Sequence, residues 1–350
     1  MEINEQFVWD RLSNEKLPIV LYGMGNGADK ILDLCNHYCI KVNDIFASDE
    51  YVRGHTFRGY KVLKYSDILN KYDNCIVLLT FACFRADMLE KIEQINSRFE
   101  VLAPEVPLFD VDIFTPKTFN DNKDKIEKVY SLLADEQSRF TYTNLLNYRM
   151  SGKYQYLHQC STDRAEIFED IIKLGANEDY VDLGAFNGDT IDEFLLLTQS
   201  QYSTITAFEP AEKNFKKLAE KVENLNLKNV NLVNKAAFDS SKNAYISEKG
   251  GRNPFLSENG HLIQTACVDD VCRKASYIKF DVEGAEAEAL LGCKNLIKKY
   301  APSLLVSAYH KTNDFFELPL KILELNENYQ IYMRHQPYIP AWETSVIAVK

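Results

Sequence analysis

Five short stretches of the sequence place acids, glycines or a histidine directly after an apolar, β-rich run. They are Asp182 to Gly188, Glu209-Pro210, Asp239, Asp281 to Glu283, and His310. In an open α/β sheet, ligands bind in the crevice outside the carboxyl ends of the strands, so chemistry is expected at these positions. Gly184 suits a tight turn, and Gly188 lets the backbone approach a ligand and the following helix closely. Glu209 falls 21 positions after Gly188, at the tip of the next run, where a carboxylate accepts both hydroxyls of a ribose. The loop is no phosphate cradle. Asp182 and Asp189 bracket it, and their charge opposes a pyrophosphate at a helix N-terminus. A ligand with adenosine, ribose and a cationic tail suits it better, a description that S-adenosylmethionine meets. The plainer alternative keeps Asp189 or Thr190 as helix caps.

The elements that must carry these residues follow from the periodicity. Tyr180-Val181, Ser203 to Phe208, Val230 to Val233, Ser276 to Phe280, Leu304 to Ala308, Tyr329 to Met333 and Ser345 to Val349 read as seven strands. Helical segments from Asp189, Ala211 and Ala285 separate several of them, which predicts a doubly wound sheet. Tyr245-Ile246 and Gln264 to Val268 read as an antiparallel excursion around a loop, Lys249 to Gly260. An earlier block repeats the α/β alternation: Pro18 to Tyr22, Ile45 to Ser48, Tyr60 to Leu63 and Cys75 to Thr80 are strands, and Ala28 to Tyr38 is a helix. Between the blocks, Pro104, Pro107 and Pro116 punctuate an irregular passage, and Lys123 to Leu146 reads as helix. The expected organisation is a Rossmann-like accessory domain over 1–110, a largely helical bridge over 111–160, and a cofactor-binding domain over 161–350.

The second block closely resembles the FkbM-type methyltransferases, over about 165 to 350. The resemblance lies in Tyr180 to Thr190, Ala207 to Pro210, Ile278 to Glu286, Tyr309 to Lys311 and Tyr332 to His335, with Asp281 to Glu286 the most specific part. It implies the class I methyltransferase sheet, seven-stranded with an antiparallel last strand. It also implies methyl transfer from S-adenosylmethionine to a hydroxyl, commonly on a sugar or secondary metabolite. Carried over, Asp182, Gly184, Ala185 and Phe186 line the methionine side, with Asp182 near the amino group. Glu209 holds the ribose with Pro210 beside it, Ala237, Phe238 and Asp239 frame the adenine, and Asp281 faces the methyl group. Phe186-Asn187 departs from the residues usual in this loop, which puts its shape in question but not its glycines.

Methyl transfer from a sulfonium is an in-line displacement, and alignment supplies much of its rate. A hydroxyl is a poor nucleophile, so a base that takes its proton helps. Asp281, Glu283, Glu286 and His310 are the candidates. His310 is favoured because imidazole titrates near neutral pH, with Asp281 positioning it or the acceptor. The plainer alternative makes Glu283 and Glu286 flank the helix from Ala285, and makes His310 a hydrogen-bonded loop residue. Asp281, Glu283 and His310 are also of types that bind divalent ions. No tight spacing such as HExxH appears, and no metal is expected.

The first block carries a weaker signal. Gly23-x-Gly25-x-Gly27 misses the GxGxxG spacing, while Asp49 is placed for a ribose or sugar hydroxyl. The block loosely resembles N-terminal Rossmann-like domains of enzymes that modify nucleotide sugars for surface-polysaccharide biosynthesis. A degenerate unit used for packing or dimerisation explains it equally well. A nucleotide-sugar contact here and a homo-oligomer are open expectations.

Length and charge frame these readings. A chain of 350 residues exceeds one ordinary domain, and 40 Lys plus Arg against 51 Asp plus Glu leave a net charge of -11. That balance argues against nucleic acid as a partner, because gripping a phosphate backbone needs cations. The opening residues show no basic stretch before an apolar run, and no run is long enough to span a bilayer. Eight scattered cysteines without a CxxC pair read as reduced thiols, so a cytoplasmic protein is expected. The reading is an S-adenosylmethionine-dependent O-methyltransferase acting on a sugar, glycoconjugate intermediate or other small molecule. Its rivals are an NAD-linked oxidoreductase using the N-terminal glycines and a non-catalytic binding module that keeps the cofactor pocket.

Overall fold

Short apolar runs bounded by glycine, asparagine or acid become the central strands of each sheet, buried on both faces. A computed structural model describes the chain apart from residues 1, 2, 4, 107, 109–112, 248–254, 258 and 259. Two compact units divide it: 1–124, 139–161 and 335–342 form one, and 125–138, 162–334 and 343–350 the other.

In the first unit the strands are β1 (Ile19–Tyr22), β2 (Val42–Ala47), β3 (Thr56–Phe57), β4 (Tyr60–Lys64), β5 (Ile76–Leu79) and β6 (Glu100–Leu102), in the order β3-β4-β2-β1-β5-β6. Only β3 is antiparallel to its neighbour. β1 and β5 are wholly buried, as central parallel strands covered on both faces must be.

In the second unit the strands are β7 (Asp179–Leu183), β8 (Thr204–Phe208), β9 (Val230–Val233), β10 (Ala236–Phe238), β11 (Asn243–Ser247), β12 (Phe255–Ser257), β13 (His261–Cys267), β14 (Tyr277–Phe280), β15 (Ser303–Ser307), β16 (Gln330–His335) and β17 (Thr344–Val349). Seven of them form one sheet in the order β16-β17-β15-β14-β7-β8-β9. The chain winds outward from β7 in both directions, so the switch point lies between β7 and β14. β17 inserts antiparallel to β15, and the expected methyltransferase-type sheet is present. On one face Tyr180 stacks between Tyr277, 4.9 Å away, and Phe194, 4.4 Å away, in a core with Ile205, Leu218 and Ile347. β10, β13, β11 and β12 make a separate four-stranded sheet, in which β11 and β13 are antiparallel as expected. Most of the loop read over 249–260 lies outside the described residues.

The helix read over Lys123 to Leu146 is two helices, Lys123–Leu132 and Glu136–Ser151. Asp135 breaks it: its carboxylate accepts the N–H of Ser138 at 2.7 Å and so starts a new helix. Ala134 meanwhile donates its N–H to Ile331 O at 2.8 Å. All eight cysteines are free thiols, and burial pushes Cys35 and Cys160 up to about 12. Among the described residues no helix is long and apolar enough to cross a membrane.

Candidate functional site

A cavity enclosing about 670 Å³, its open mouth included, lies at the carboxyl ends of the second unit's strands. Gly184, Phe186, Glu209, Pro210, Ala237, Asp281 and Glu283, all singled out in the sequence, line it, together with Asn214, Ala236, Ile246, Val282 and Ala285. Gly184 is where β7 and β14 turn past each other: its φ is +93°, and a Cβ there would sit 1.9 Å from the carbonyl oxygen of Asp281. Phe186 holds a left-handed φ of +47° and stays 39% exposed. A large aromatic in that conformation is uncommon and costs free energy, and here it forms one wall.

Glu209 anchors that wall. Its Oε2 accepts the N–H of Phe186 at 3.0 Å and its Oε1 that of Ala211 at 2.8 Å. Burial raises its pKa to about 7, against the pull of those two N–H groups. Pro210, Ala236, Ala237 and Ile246 add an apolar slot beside it.

The remaining expected cofactor residues do not line the cavity. Asp182 is fully buried: its Oδ2 accepts the Thr190 hydroxyl at 2.5 Å, and its Oδ1 lies 3.5 Å from Lys279 Nζ. Replacing Thr190 with valine should cost about 1.5 kcal/mol, the net worth of a hydrogen bond to a charged group, read from the urea midpoint. Ala185 is buried, its N–H on Phe208 O. Gly188 has φ +84°, and a Cβ there would meet Lys221 and Leu218 of the neighbouring helix Glu212–Asn224, so its role is packing. Phe238 lies under the Lys242 ammonium, 4.3 Å from its ring centre, and Asp239 accepts the Ser240 hydroxyl.

Asp281 and Glu283 add the acidic part of the lining, with His310 against both. Glu283 and Gly284 have φ of +53° and +92°, a turn tied down by Glu286, whose Oε1 accepts the N–H groups of Val282 at 2.9 Å and Gly284 at 3.4 Å. The same oxygen is 2.9 Å from His310 Nδ1, which points Nε2 at Asp281 Oδ1, 3.6 Å away, and Glu283 Oε2, 3.5 Å away. Burial opposes the charge of His310, but Glu286, Glu283 and Asp281 overcome it and lift the imidazole to about 10. Asp281 also feels burial, yet Lys279 and His310 hold its carboxyl below the usual range. Burial works against the ammonium of Lys279 too, and Asp182 and Asp281 nonetheless keep its pKa above the ordinary lysine value. One donor atom from each of Asp281, Glu286 and His310 lies within 4.8 Å of the others.

Sequence reasoning missed Asn214, Ile246 and Lys279. Asn214 carried a faint signal, falling just after Glu209-Pro210. Lys279 carried one as well, the single charge in an apolar strand.

In the first unit, Met24, Gly25 and Gly27 border a cavity of about 750 Å³, its open mouth included, at the ends of β1 and β5. Gly27 is required for packing, since its Cβ would lie 2.0 Å from Thr80 O. Asp49 is engaged elsewhere: its carboxylate accepts the Tyr65 N–H at 2.9 Å at the start of the helix Tyr65–Lys71.

Residues 182–338 match the family model described as the methyltransferase FkbM domain. No curated protein matches the chain. Among solved structures, methyltransferase FkbM from Methylobacillus flagellatus KT superposes with a TM-score of 0.76 at 20% identity, covering 95% of this chain and 90% of that one. The two share a fold across both units. An rRNA methylase from Streptococcus thermophilus is a slighter likeness, with a TM-score of 0.35 at 15% identity over 51% of this chain and 89% of that one.

Proposed function

We propose, from the match of residues 182–338 to the methyltransferase FkbM domain model, that the chain transfers a methyl group from S-adenosylmethionine to a hydroxyl of a small acceptor. A sugar or glycoconjugate intermediate is the acceptor class we favour. The observation that carries the reading is one cavity with three kinds of wall. A carboxylate, Glu209, suits a ribose diol, an apolar slot of Pro210, Ala237 and Ile246 suits an adenine, and Asp281 with Glu283 suits a cationic centre. Asn187 adds a buried Oδ1 with no hydrogen-bond partner in the same loop, an acceptor available to an ammonium group. These residues fit the cofactor. When bound, it supplies the methyl group on an activated sulfonium.

The chain's own contribution is alignment and charge. Glu209 fixes the ribose and, through the Phe186 N–H, the loop that walls the cavity. Asp281 and Glu283 face the cavity and are the catalytic residues of this reading, orienting the acceptor and taking its proton. His310 does not line the cavity, so its role shifts from the expected base to a positioning residue that acts through those carboxylates, with Glu286 holding its ring.

Calorimetry with S-adenosylhomocysteine tests the reading. Saturable binding at one site per chain is expected, and silence from folded protein sinks it. An absorbance change at the nicotinamide band without S-adenosylmethionine would favour the oxidoreductase rival. Tight cofactor binding with no transfer to a broad panel of sugars would favour a non-catalytic module.

A further inference from the structure

We propose that a groove of the first unit, lined by the helix Ala86–Asn96 and residues 337–339, takes an arginine side chain of a basic partner protein. The inference does not depend on the methyl-transfer reading.

The groove encloses about 1010 Å³, its open mouth included. Glu90, Glu93 and Gln94 come to it from the helix Ala86–Asn96, Tyr338 from the segment after β16, and Tyr154 from the start of the helix Gln155–Cys160. All of them belong to the first unit. Helical spacing puts Glu90 and Glu93 on one face, where their like charges repel unless a cation comes between them. Among the described residues neither has a lysine or arginine within ion-pair distance: Arg85 pairs with Asp87, and Lys91 with Glu50. No lysine or arginine lines the groove. The chain's net charge of -11 favours a basic partner and opposes a second copy.

The Tyr154 hydroxyl points to a ligand independently. Tyr154 lines the groove and is 2% exposed, and its Oη makes no hydrogen bond although water cannot reach it. Burial and, after it, the nearby Glu93 carboxylate push the phenol's pKa up, so it stays protonated. Its proton can turn toward Glu93 while its lone pairs take an incoming N–H. A buried hydroxyl left without a partner is costly, and a donor entering by the groove supplies one.

Aromatic faces select the kind of cation. Phe84, 62% exposed, stacks on Tyr338 with ring centres 5.6 Å apart and planes inclined by 17°. Two hydrogen bonds fix this pair: Cys83 donates its N–H to Ile339 O at 2.7 Å, and Ile339 donates its N–H to Cys83 O at 2.8 Å. A guanidinium lies flat on such a ring while its fork of donors meets carboxylates. An ammonium has neither the plane nor the fork. A neutral sugar could stack here too, but it would leave Glu90 and Glu93 without a counter-charge.

The test is fluorescence anisotropy of a fluorescein-labelled peptide alternating glycine with arginine, titrated with the whole chain. Saturable binding is expected, and the same peptide with citrulline in place of arginine should bind about tenfold more weakly. Glu93→Gln should weaken the arginine peptide about tenfold and Phe84→Ala about threefold. Both side chains are exposed, so neither change disturbs the core. Tyr154→Phe alters no charge and should still cost about fivefold, which separates this groove from diffuse attraction to an acidic surface. Absence of binding, a citrulline peptide bound as tightly, or affinity unchanged in both Glu93→Gln and Tyr154→Phe would each overturn the proposal. Neutral oligosaccharides that bind where the arginine peptide does not would overturn it as well, by assigning the groove to sugars.

Discussion

Replacing Glu209 with glutamine should weaken S-adenosylhomocysteine binding about 100-fold and remove its dependence on pH. Hydrogen bonds to a charged group contribute about 1.5–3 kcal/mol each, and a ribose diol can make two with one carboxylate. The side chain is 5% exposed, so water cannot replace them. The amide keeps a single acceptor oxygen and cannot serve the Phe186 and Ala211 N–H groups as the carboxylate does. The pH dependence has a definite sign. Burial raises Glu209 to about 7 in the free protein, and both ribose hydroxyls can donate only to the ionised form, since protonation turns one acceptor oxygen into a donor. Affinity is therefore full above pH 8 and falls as pH drops through 7, by about tenfold at pH 6. Calorimetry across pH 6 to 8 checks both parts. A wild-type affinity flat over that range would remove Glu209 from the ribose contact.

Lys279→Met should lower the melting temperature of the second unit by about 6–20 °C. Lys279 stands opposite Asp182 in the register of β14 on β7, and both are buried. Removing one partner of such a pair leaves an uncompensated charge, at a cost of about 3–5 kcal/mol, and each kcal/mol moves the midpoint by roughly 2–4 °C in a domain of this size. The double variant Lys279→Met with Asp182→Asn should recover most of the loss, because the fully buried charge at Asp182 is then gone, while Asp281, one-third exposed, keeps His310 beside it. Scanning calorimetry of the four proteins gives the coupling. A single variant within 2 °C of wild type would show that Asp182 does not depend on Lys279.

Much of the fold was legible because its signals are local. Apolar runs ending in Gly184, Glu209 and Asp281 mark strand tips, and strand tips in this sheet face one crevice. The places where the reading fell short depend on distant residues. The break at Asp135 follows from its bond to Ser138 and from Ala134 pairing with Ile331, neither of which a helical period registers. Phe238 and Asp239 were expected around the adenine, yet the cavity is lined at that end by Ala236, Ala237 and Ile246. Phe238, the last residue of β10, lies under Lys242 instead, and Asp239 accepts the Ser240 hydroxyl. Asp49 looked available at a strand tip and is instead spent on the Tyr65 N–H.

The sequence by itself determined the α/β class, the seven-stranded second block and the residue types at the strand ends, because these follow from period and punctuation over a few neighbouring residues. Only the tertiary structure decided what those residues do to one another. Lys279 reaches Asp182 across 97 positions, and Glu286 turns His310 toward Asp281 and Glu283 across 24. Charge interactions act through space, at distances set by strand register and by one left-handed turn. The order of residues along the chain carries no measure of them.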